Sequence, residues 1–322
     1  METAPFFSDI IADFPAGEAW WIKAEDGVRI RVAQWRPEGT AEGTVLLFPG
    51  RTEYIEKYAH TAGDLAAAGF ATLVIDWRGQ GIADRLTGDP MIGHVRRFAD
   101  FQLDVKAAVE AARELELPEP FYLLGHSMGG CIGLRALYEG LPVKAAAFTG
   151  PMWGIQMNRA QRPTAWVVGW ASKRLGLSSL LVPQTSPESY VATAEFEGNT
   201  LTRDREMWDL MQHQLREKPA LSLGGPSINW LHDALLEMLE LSRKSPPALP
   251  GLTFCGANER IVDKQRIRDR MASWPESELV MIEGGEHEVL MEDPATRGAI
   301  LEQIIAHFRA AADQPVNRSI SA

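Results

Sequence analysis

The sequence predicts an α/β fold in which a mostly parallel sheet carries helices on both faces and one helical segment is inserted into it. Three observations lead there. Short, wholly apolar runs alternate with helix-patterned stretches through the first 150 residues, and strands apolar at every position are strands buried on both faces. The alternation stops after Gly150-Pro151 and resumes at Gly251. The composition, 45% hydrophobic and 23% charged over 322 residues, is ordinary for a globular chain able to bury a large core.

Taken in order, Val28 to Gln34 alternates like a hairpin strand, and Thr44 to Phe48 (TVLLF) is an apolar run stopped by Pro49-Gly50. Glu56 to Ala68 is helical and closes at Gly69, a residue suited to the left-handed position after a helix. Ala71 to Asp76 is the next apolar run, and Ala99 to Leu115 has helical periodicity that ends before Pro118. Phe121 to Leu124 is a third apolar run, followed at once by GHSMGG and a helix to Tyr138; Val143 to Phe148 is a fourth. Residues 151–246 then show helical periodicity without strands and hold five of the ten Trp and five of the eleven Met. Their ten basic and ten acidic residues cancel, so the net charge of −11 sits on the remainder. After Gly251 come a strand (Leu252 to Cys255), a helix (Lys264 to Ala272), a strand (Glu278 to Ile282), a Gly284-Gly285 loop, a last helix (Pro294 to Ala312) and a frayed tail from Asp313. The expected organisation is a core in two parts, 1–150 and 247–322, around a helical cap or lid, 151–246.

Several function classes are excluded. With 32 Lys and Arg against 43 Asp and Glu, a phosphate backbone would repel the chain, so nucleic acid is not an expected partner. Two cysteines make neither a disulfide framework nor a four-thiolate zinc site. Cys131 and Cys255 read as small buried hydrophobes. No metal-ligand cluster and no phosphate-cradling glycine loop is present, so neither metal nor cofactor is expected. No run reaches the ~20 apolar residues of a membrane span. The N-terminal METAPFFSDIIAD has no basic start and carries Glu2, Asp9 and Asp13, so a cytoplasmic setting with reduced thiols is expected.

One motif carries chemistry. Gly125-His126-Ser127-Met128-Gly129 fits G-x-S-x-G, and it lies between an apolar strand and a helix start, the context that gives the motif meaning. Ser127 would occupy a sharp turn with its hydroxyl exposed, where side chains at 125 and 129 would collide with the neighbouring strand and helix. A serine hydroxyl needs a base. Of the histidines at 60, 94, 126, 213, 232, 287 and 307, His287 stands in a glycine-rich loop directly after the last strand, which can return an imidazole over the sheet's edge. The base in turn needs an acid between 127 and 287 in chain order. Glu259, just past the Leu252–Cys255 strand, is the first candidate. Asp263 is the alternative, though it precedes a helix and an N-cap explains it equally well. Oxyanion amides are expected from Met128, after the nucleophile, and from Arg51, in the turn after TVLLF. The Arg51 side chain either meets an anionic group on a substrate or pairs at the surface with Glu53 or Glu56. Met152 and Trp153, at the start of the insertion, are candidates for the pocket wall.

These pieces resemble the α/β-hydrolases of the monoacylglycerol lipase and bacterial lysophospholipase group, the serine aminopeptidase-like hydrolases. The resemblance rests on Pro49-Gly50-Arg51-Thr-Glu53 with Tyr58, Asp76-Trp-Arg-Gly79-Gln-Gly81, Gly125-His-Ser-Met-Gly129, Gly256-Ala-Asn-Glu259 and His287-Glu-Val-Leu-Met-Glu292, in order from about residue 20 to 312. It implies the α/β-hydrolase fold with a cap after the sixth strand. It puts the family's serine, acid and histidine on Ser127, Glu259 and His287, and its oxyanion amides on Arg51 and Met128. Many relatives have His-Gly at Pro49-Gly50 and Asp at Glu259. The activity implied is hydrolysis of a carboxylic ester of a single-chain acyl lipid, a lysophospholipid or monoacylglycerol, through an acyl-enzyme. The partners implied are that small acyl ester and, transiently, a lipid surface; the oligomeric state stays open. The alternatives are a small-molecule carboxylesterase or acyltransferase on the same residues, or a hydrolase fold used only for binding. Dehalogenases and epoxide hydrolases of this fold use an aspartate nucleophile, so Ser127 excludes them.

Overall fold

The computed structural model describes residues 1–158 and 161–312, which leaves the 313–322 tail outside the described residues. Nine strands form one sheet: β1 (Glu2–Thr3), β2 (Glu18–Lys23), β3 (Arg29–Trp35), β4 (Thr44–Phe48), β5 (Ala71–Asp76), β6 (Phe121–His126), β7 (Val143–Thr149), β8 (Gly251–Gly256) and β9 (Ser277–Ile282). Their spatial order is β1-β2-β3-β5-β4-β6-β7-β8-β9. The first three strands are antiparallel to their neighbours, and the pairs from β5 to β9 are parallel. This is the α/β-hydrolase sheet. The β1–β2 edge went unseen because β2 sets Trp20 beside Trp21 instead of alternating apolar and polar.

The apolar runs are buried throughout β4, β5, β6 and β8, and their alternate residues feed two cores. Leu46, Phe48, Leu73, Ile75 and Leu123 pack on the face of α2 (Phe101–Glu114) and α3 (Ser127–Tyr138). Val45, Leu47, Val74, Leu124 and Phe254 pack on the opposite face, with Leu65 of α1 (Ala59–Ala67) and Ile304 and Phe308 of the C-terminal helix. The helix expected over 56–68 begins as a 3₁₀ turn, Ile55–Tyr58, before α1, and Gly69 closes it at φ +92°.

Between β7 and β8 the chain leaves the sheet through α4 (Gln161–Leu175), α5 (Tyr190–Thr193), α6 (Arg205–Glu217) and α7 (Ile228–Leu241), with no strand among the described residues. Counted from Glu18–Lys23, the departure follows the sixth strand. The inserted segment has a small core of its own, Met207, Trp208 and Met211 against Met291. It is tied to the sheet domain by Tyr54, whose hydroxyl donates to Gln214 Oε1 at 2.8 Å, and by Arg85, whose Nη2 donates to the Ala220 carbonyl at 2.9 Å. The last helices are α8 (Lys264–Ser273) and α9 (Pro294–Ala312). No helix among the described residues is long and apolar enough to cross a membrane.

Candidate active site

Ser127 stands where β6 turns into α3, at the carboxyl edge of the sheet. Its φ is +48°, a left-handed conformation that a side-chain-bearing residue adopts only when its surroundings enforce it. The surroundings here are close: a Cβ on Gly129 would lie 2.0 Å from the Phe48 carbonyl oxygen, and one on Gly125 would lie 3.0 Å from Gly130 Cα. Only glycine lets β6 and α3 approach β4 this tightly.

The structure brings Ser127, His287 and Glu259 together from three segments. Ser127 Oγ–H donates to His287 Nε2 at 2.9 Å, and His287 Nδ1–H donates to Glu259 Oε2 at 2.5 Å. All three are buried. The loop after β9 carries His287, and the turn after β8 carries Glu259, whose Oε1 also accepts from the N–H groups of Ile261 (2.6 Å) and Val262 (3.1 Å). Burial works to raise the Glu259 pKa, but the His287 charge and these hydrogen bonds bring it below the usual glutamate value. Burial works to lower the His287 pKa, and the Glu259 carboxylate overcomes it and raises it above the usual histidine value. Asp263 is elsewhere occupied: it caps α8, accepting from Gln265 N–H (3.1 Å) and Arg266 N–H (3.4 Å).

The turn after β4 faces this trio, and the Asp76–Gly81 motif is what holds it. Trp77 Nε1 donates to the Pro49 carbonyl at 2.9 Å, and Gln80 Oε1 accepts from Thr52 N–H at 2.8 Å. The Gly50 N–H is taken by Glu53. The Arg51 N–H carries no hydrogen bond among the described residues, and Met128 lies in the first turn of α3, where N–H groups have no intrahelical acceptor.

Behind the turn lies a buried ionic network that sequence reasoning missed. Glu53 accepts from Tyr58 Oη at 2.6 Å and from Lys57 Nζ at 2.7 Å, and the same ammonium donates to Glu288 at 2.5 Å. Lys57 thus links the turn after β4 to the loop that carries His287. The signal is present in the spacing: Glu53 and Tyr58 belong to the motif that carries the family resemblance, and Lys57 lies between them. Glu53, His126 and Glu288 bring donor atoms within 4.8 Å of one another, a grouping able to hold a metal ion, but the Lys57 ammonium already supplies a positive charge to both carboxylates. His126 donates from Nδ1 to the Thr149 carbonyl at 2.9 Å, and burial lowers its pKa to about 4, so it is neutral.

A cavity of about 1030 Å³ opens over Ser127 and His287. Its walls come from the turn after β4 and the inserted segment, including Met152, Met157, Val168, Leu223 and Trp230. Trp153 needs a correction: it is absent from this wall. Its ring packs on Phe148 at 5.2 Å and its Nε1 donates to the Gly130 carbonyl at 3.1 Å, so it supports the back of α3. Of the five Trp in the insertion, Trp230 alone lines the cavity. The Arg51 side chain pairs with neither Glu53 nor Glu56, since Lys57 and Tyr58 take the first and Arg31 the second.

Comparison with known proteins agrees with this fold. Residues 39–294 match the family described as serine aminopeptidase, S33. The chain belongs to that family. It is 30% identical to lysophospholipase L2 of Escherichia coli strain K12 over 312 residues, covering 91% of this chain and 88% of the relative. It is 24% identical to the monoglyceride lipase of Rattus norvegicus, over 87% of this chain and 86% of that one. Among solved structures, a soluble variant of the Saccharomyces cerevisiae monoglyceride lipase in complex with a substrate analogue superimposes with a TM-score of 0.73. It covers 97% of this chain and 100% of its own at 18% identity, so it speaks for the fold.

Proposed function

We propose that this S33-family hydrolase cleaves the carboxylic ester of single-chain acyl lipids, lysophospholipids or monoacylglycerols, through an acyl-enzyme. The observation that carries the chemistry is the continuous hydrogen-bonded line from Ser127 through His287 to Glu259 at the floor of a mostly apolar-walled cavity. Ser127 Oγ attacks the ester carbonyl while His287 Nε2 takes its proton. Glu259 holds the Nδ1–H tautomer and balances the imidazolium. The N–H groups of Arg51 and Met128 receive the oxyanion, helped by the N-terminus of α3. His287 then protonates the departing alkoxide, and water, activated by the same base, releases the fatty acid. The relatives' printed activities support the lipid part of the reading.

The access route supports it too. α4 carries Arg162, Lys173 and Arg174 and no acidic residue, and its outer side exposes Val167, Trp170 and Leu175. Its inner side, Thr164, Ala165 and Val168, lines the cavity. A basic helix with an apolar strip suits transient contact with a lipid surface. We place the enzyme in the cytoplasm, a setting that suits the two free, buried thiols of Cys131 and Cys255.

The test is release of fatty acid from lysophosphatidylcholine and monoacylglycerol of equal chain length by the purified protein and by Ser127→Ala. Release by the wild type and loss of at least about 10⁴-fold in the variant is the expected outcome. A variant with more than about a hundredth of the activity would remove Ser127 from the role.

A further inference from the structure

Arg51 is a half-buried charge that the reaction leaves idle, because the proposed chemistry uses only its backbone N–H. Its surroundings set it apart from the other buried and half-buried arginines named here. Arg31 is held by Glu56 and Asp76, Arg78 by Asp26 and Asp104, and Arg135 by Glu237 and Glu240. Arg85 and Arg270 lack a carboxylate but are filled by other oxygens: the carbonyls of Gly79, Gly81 and Ala220 for the first, those of Leu241 and Lys244 with the Tyr138 hydroxyl for the second. Arg51 has one carbonyl acceptor, that of Gly224, and no carboxylate partner among the described residues. Its Nε is buried without an acceptor.

The guanidinium is nevertheless held in place. It lies over the Trp230 ring at 5.3 Å, and Gly93 makes room for it, since a Cβ there would sit 2.8 Å from Arg51 Nη2. Among the described residues Arg51 is also the single Lys or Arg in the wall of the cavity that contains Ser127. Burial without a counter-ion lowers its pKa to about 10, which leaves it charged at neutral pH. A fixed, stacked, under-satisfied guanidinium facing a cavity is the arrangement that recognises a phosphate.

We infer that the Arg51 side chain is an anion subsite for a phosphate carried on the glycerol arm of the substrate, so that lysophospholipids are favoured over uncharged monoacylglycerols. This rests on the lipid-ester reading of the same cavity. In that arrangement the Arg51 N–H holds the ester oxygen and its guanidinium holds the phosphate at the other end of the glycerol spacer. One residue then measures the distance between the bond to be cut and the headgroup.

The experiment compares kcat/KM for a lysophospholipid and a monoacylglycerol of the same acyl chain in wild type, Arg51→Met and Arg51→Lys. Damage to the oxyanion turn would fall on both lipids and cancel in their ratio. The ratio should drop at least about tenfold in Arg51→Met, the loss of one charge-assisted hydrogen bond, through KM more than kcat, and Arg51→Lys should restore part of it. In a second arm, glycerol 3-phosphate and inorganic phosphate compete with a short neutral ester. Competition by glycerol 3-phosphate that Arg51→Met weakens at least tenfold supports the subsite, and equal competition by inorganic phosphate would assign it to free phosphate instead of a headgroup. An unchanged ratio, or competition that survives Arg51→Met, overturns the inference. If the wild type cleaves the short ester but neither lipid, the lipid reading fails, while the competition arm still reports on the subsite.

Discussion

At the residue scale, two acidic side chains four positions apart have different partners: Glu259 accepts from His287, and Asp263 caps α8. Glu259→Gln leaves the size of the side chain but removes the charge that raises the His287 pKa. Two effects should follow. The rate should fall by orders of magnitude, because Gln can present its amide instead of an acceptor and spoil the His287 tautomer. The acid limb of the kcat/KM profile should also move. As the proposed base, His287 works only when neutral, and its pKa is raised, so wild-type activity should rise with pH through a midpoint above the ~6.5 of an unperturbed histidine. In Glu259→Gln that midpoint should fall to lower pH. Asp263→Asn should leave both rate and midpoint in place and cost only a helix cap, about 1 kcal/mol or less. Stopped assays from pH 5 to 9 on the three proteins decide it, and a larger rate loss in Asp263→Asn would reverse the assignment. Lys57 offers a second check. Lys57→Met removes the ammonium between Glu53 and Glu288 and leaves two buried carboxylates facing each other, so at least one must take up a proton. We expect kcat to fall at least about tenfold, with partial recovery in Lys57→Met/Glu288→Gln, where the charge imbalance is halved. No recovery would mean that Lys57 only fills space. Ser127 and His287 were legible in the sequence because a strained turn and a glycine loop are local features. Lys57 and Trp153 were not. The value of each depends on what lies opposite it in space: Glu288, 231 positions away, for one, and the back of α3 for the other.

At the scale of elements, the central strands β4, β5, β6 and β8 declared themselves because each is apolar at consecutive positions, a pattern no surface helix shows. The insertion did not. Its helices have apolar residues on more than one side, and the sequence alone does not say which side meets the core, the cavity or water. α4 shows why. Ala165 and Val168 face the cavity, Trp166 packs at 5.6 Å from the His232 ring of α7, and Val167, Trp170 and Leu175 are exposed. Three apolar sides on one helix read as a core helix until the structure leaves one of them bare; Trp170, at 57% exposure, is the largest such residue on it. If that bare side meets a lipid surface, Trp170→Asp and Val167→Asp together should reduce activity on substrate embedded in zwitterionic vesicles several-fold. They should leave hydrolysis of a water-soluble short ester unchanged, because neither residue lines the cavity. Vesicle co-sedimentation should weaken in parallel. Equal loss on both substrates would point to a damaged helix instead of a lost surface contact.

At the scale of the whole molecule, the charge distribution and the cavity point to the same kind of substrate. The net charge of −11 lies outside a neutral insertion, and that insertion supplies much of the cavity wall. The cavity, about 1030 Å³, is at the upper end of the ~300–1,000 Å³ typical of small-molecule sites, and much of its wall is Met, Val, Leu, Ile and Trp. Such a wall gains little from an acetyl group. Each further methylene buried should add up to ~0.8 kcal/mol, about fourfold in kcat/KM, for as long as the chain still finds apolar wall. The gain should then level off where the chain reaches solvent. Methionines such as Met152 and Met157 adapt to a chain with no fixed shape, so the rise should be smooth instead of peaking at one length. If the cavity takes one acyl chain at a time, as proposed, a diacyl phospholipid should be a poor substrate. The measurement is kcat/KM for monoacyl esters from two to about sixteen carbons, below their critical micelle concentrations, beside a diacyl phospholipid. A profile that is flat or falls with chain length would leave an esterase for small molecules on the same Ser127–His287–Glu259 line. Efficient diacyl cleavage would instead keep the lipid and discard the restriction to one chain.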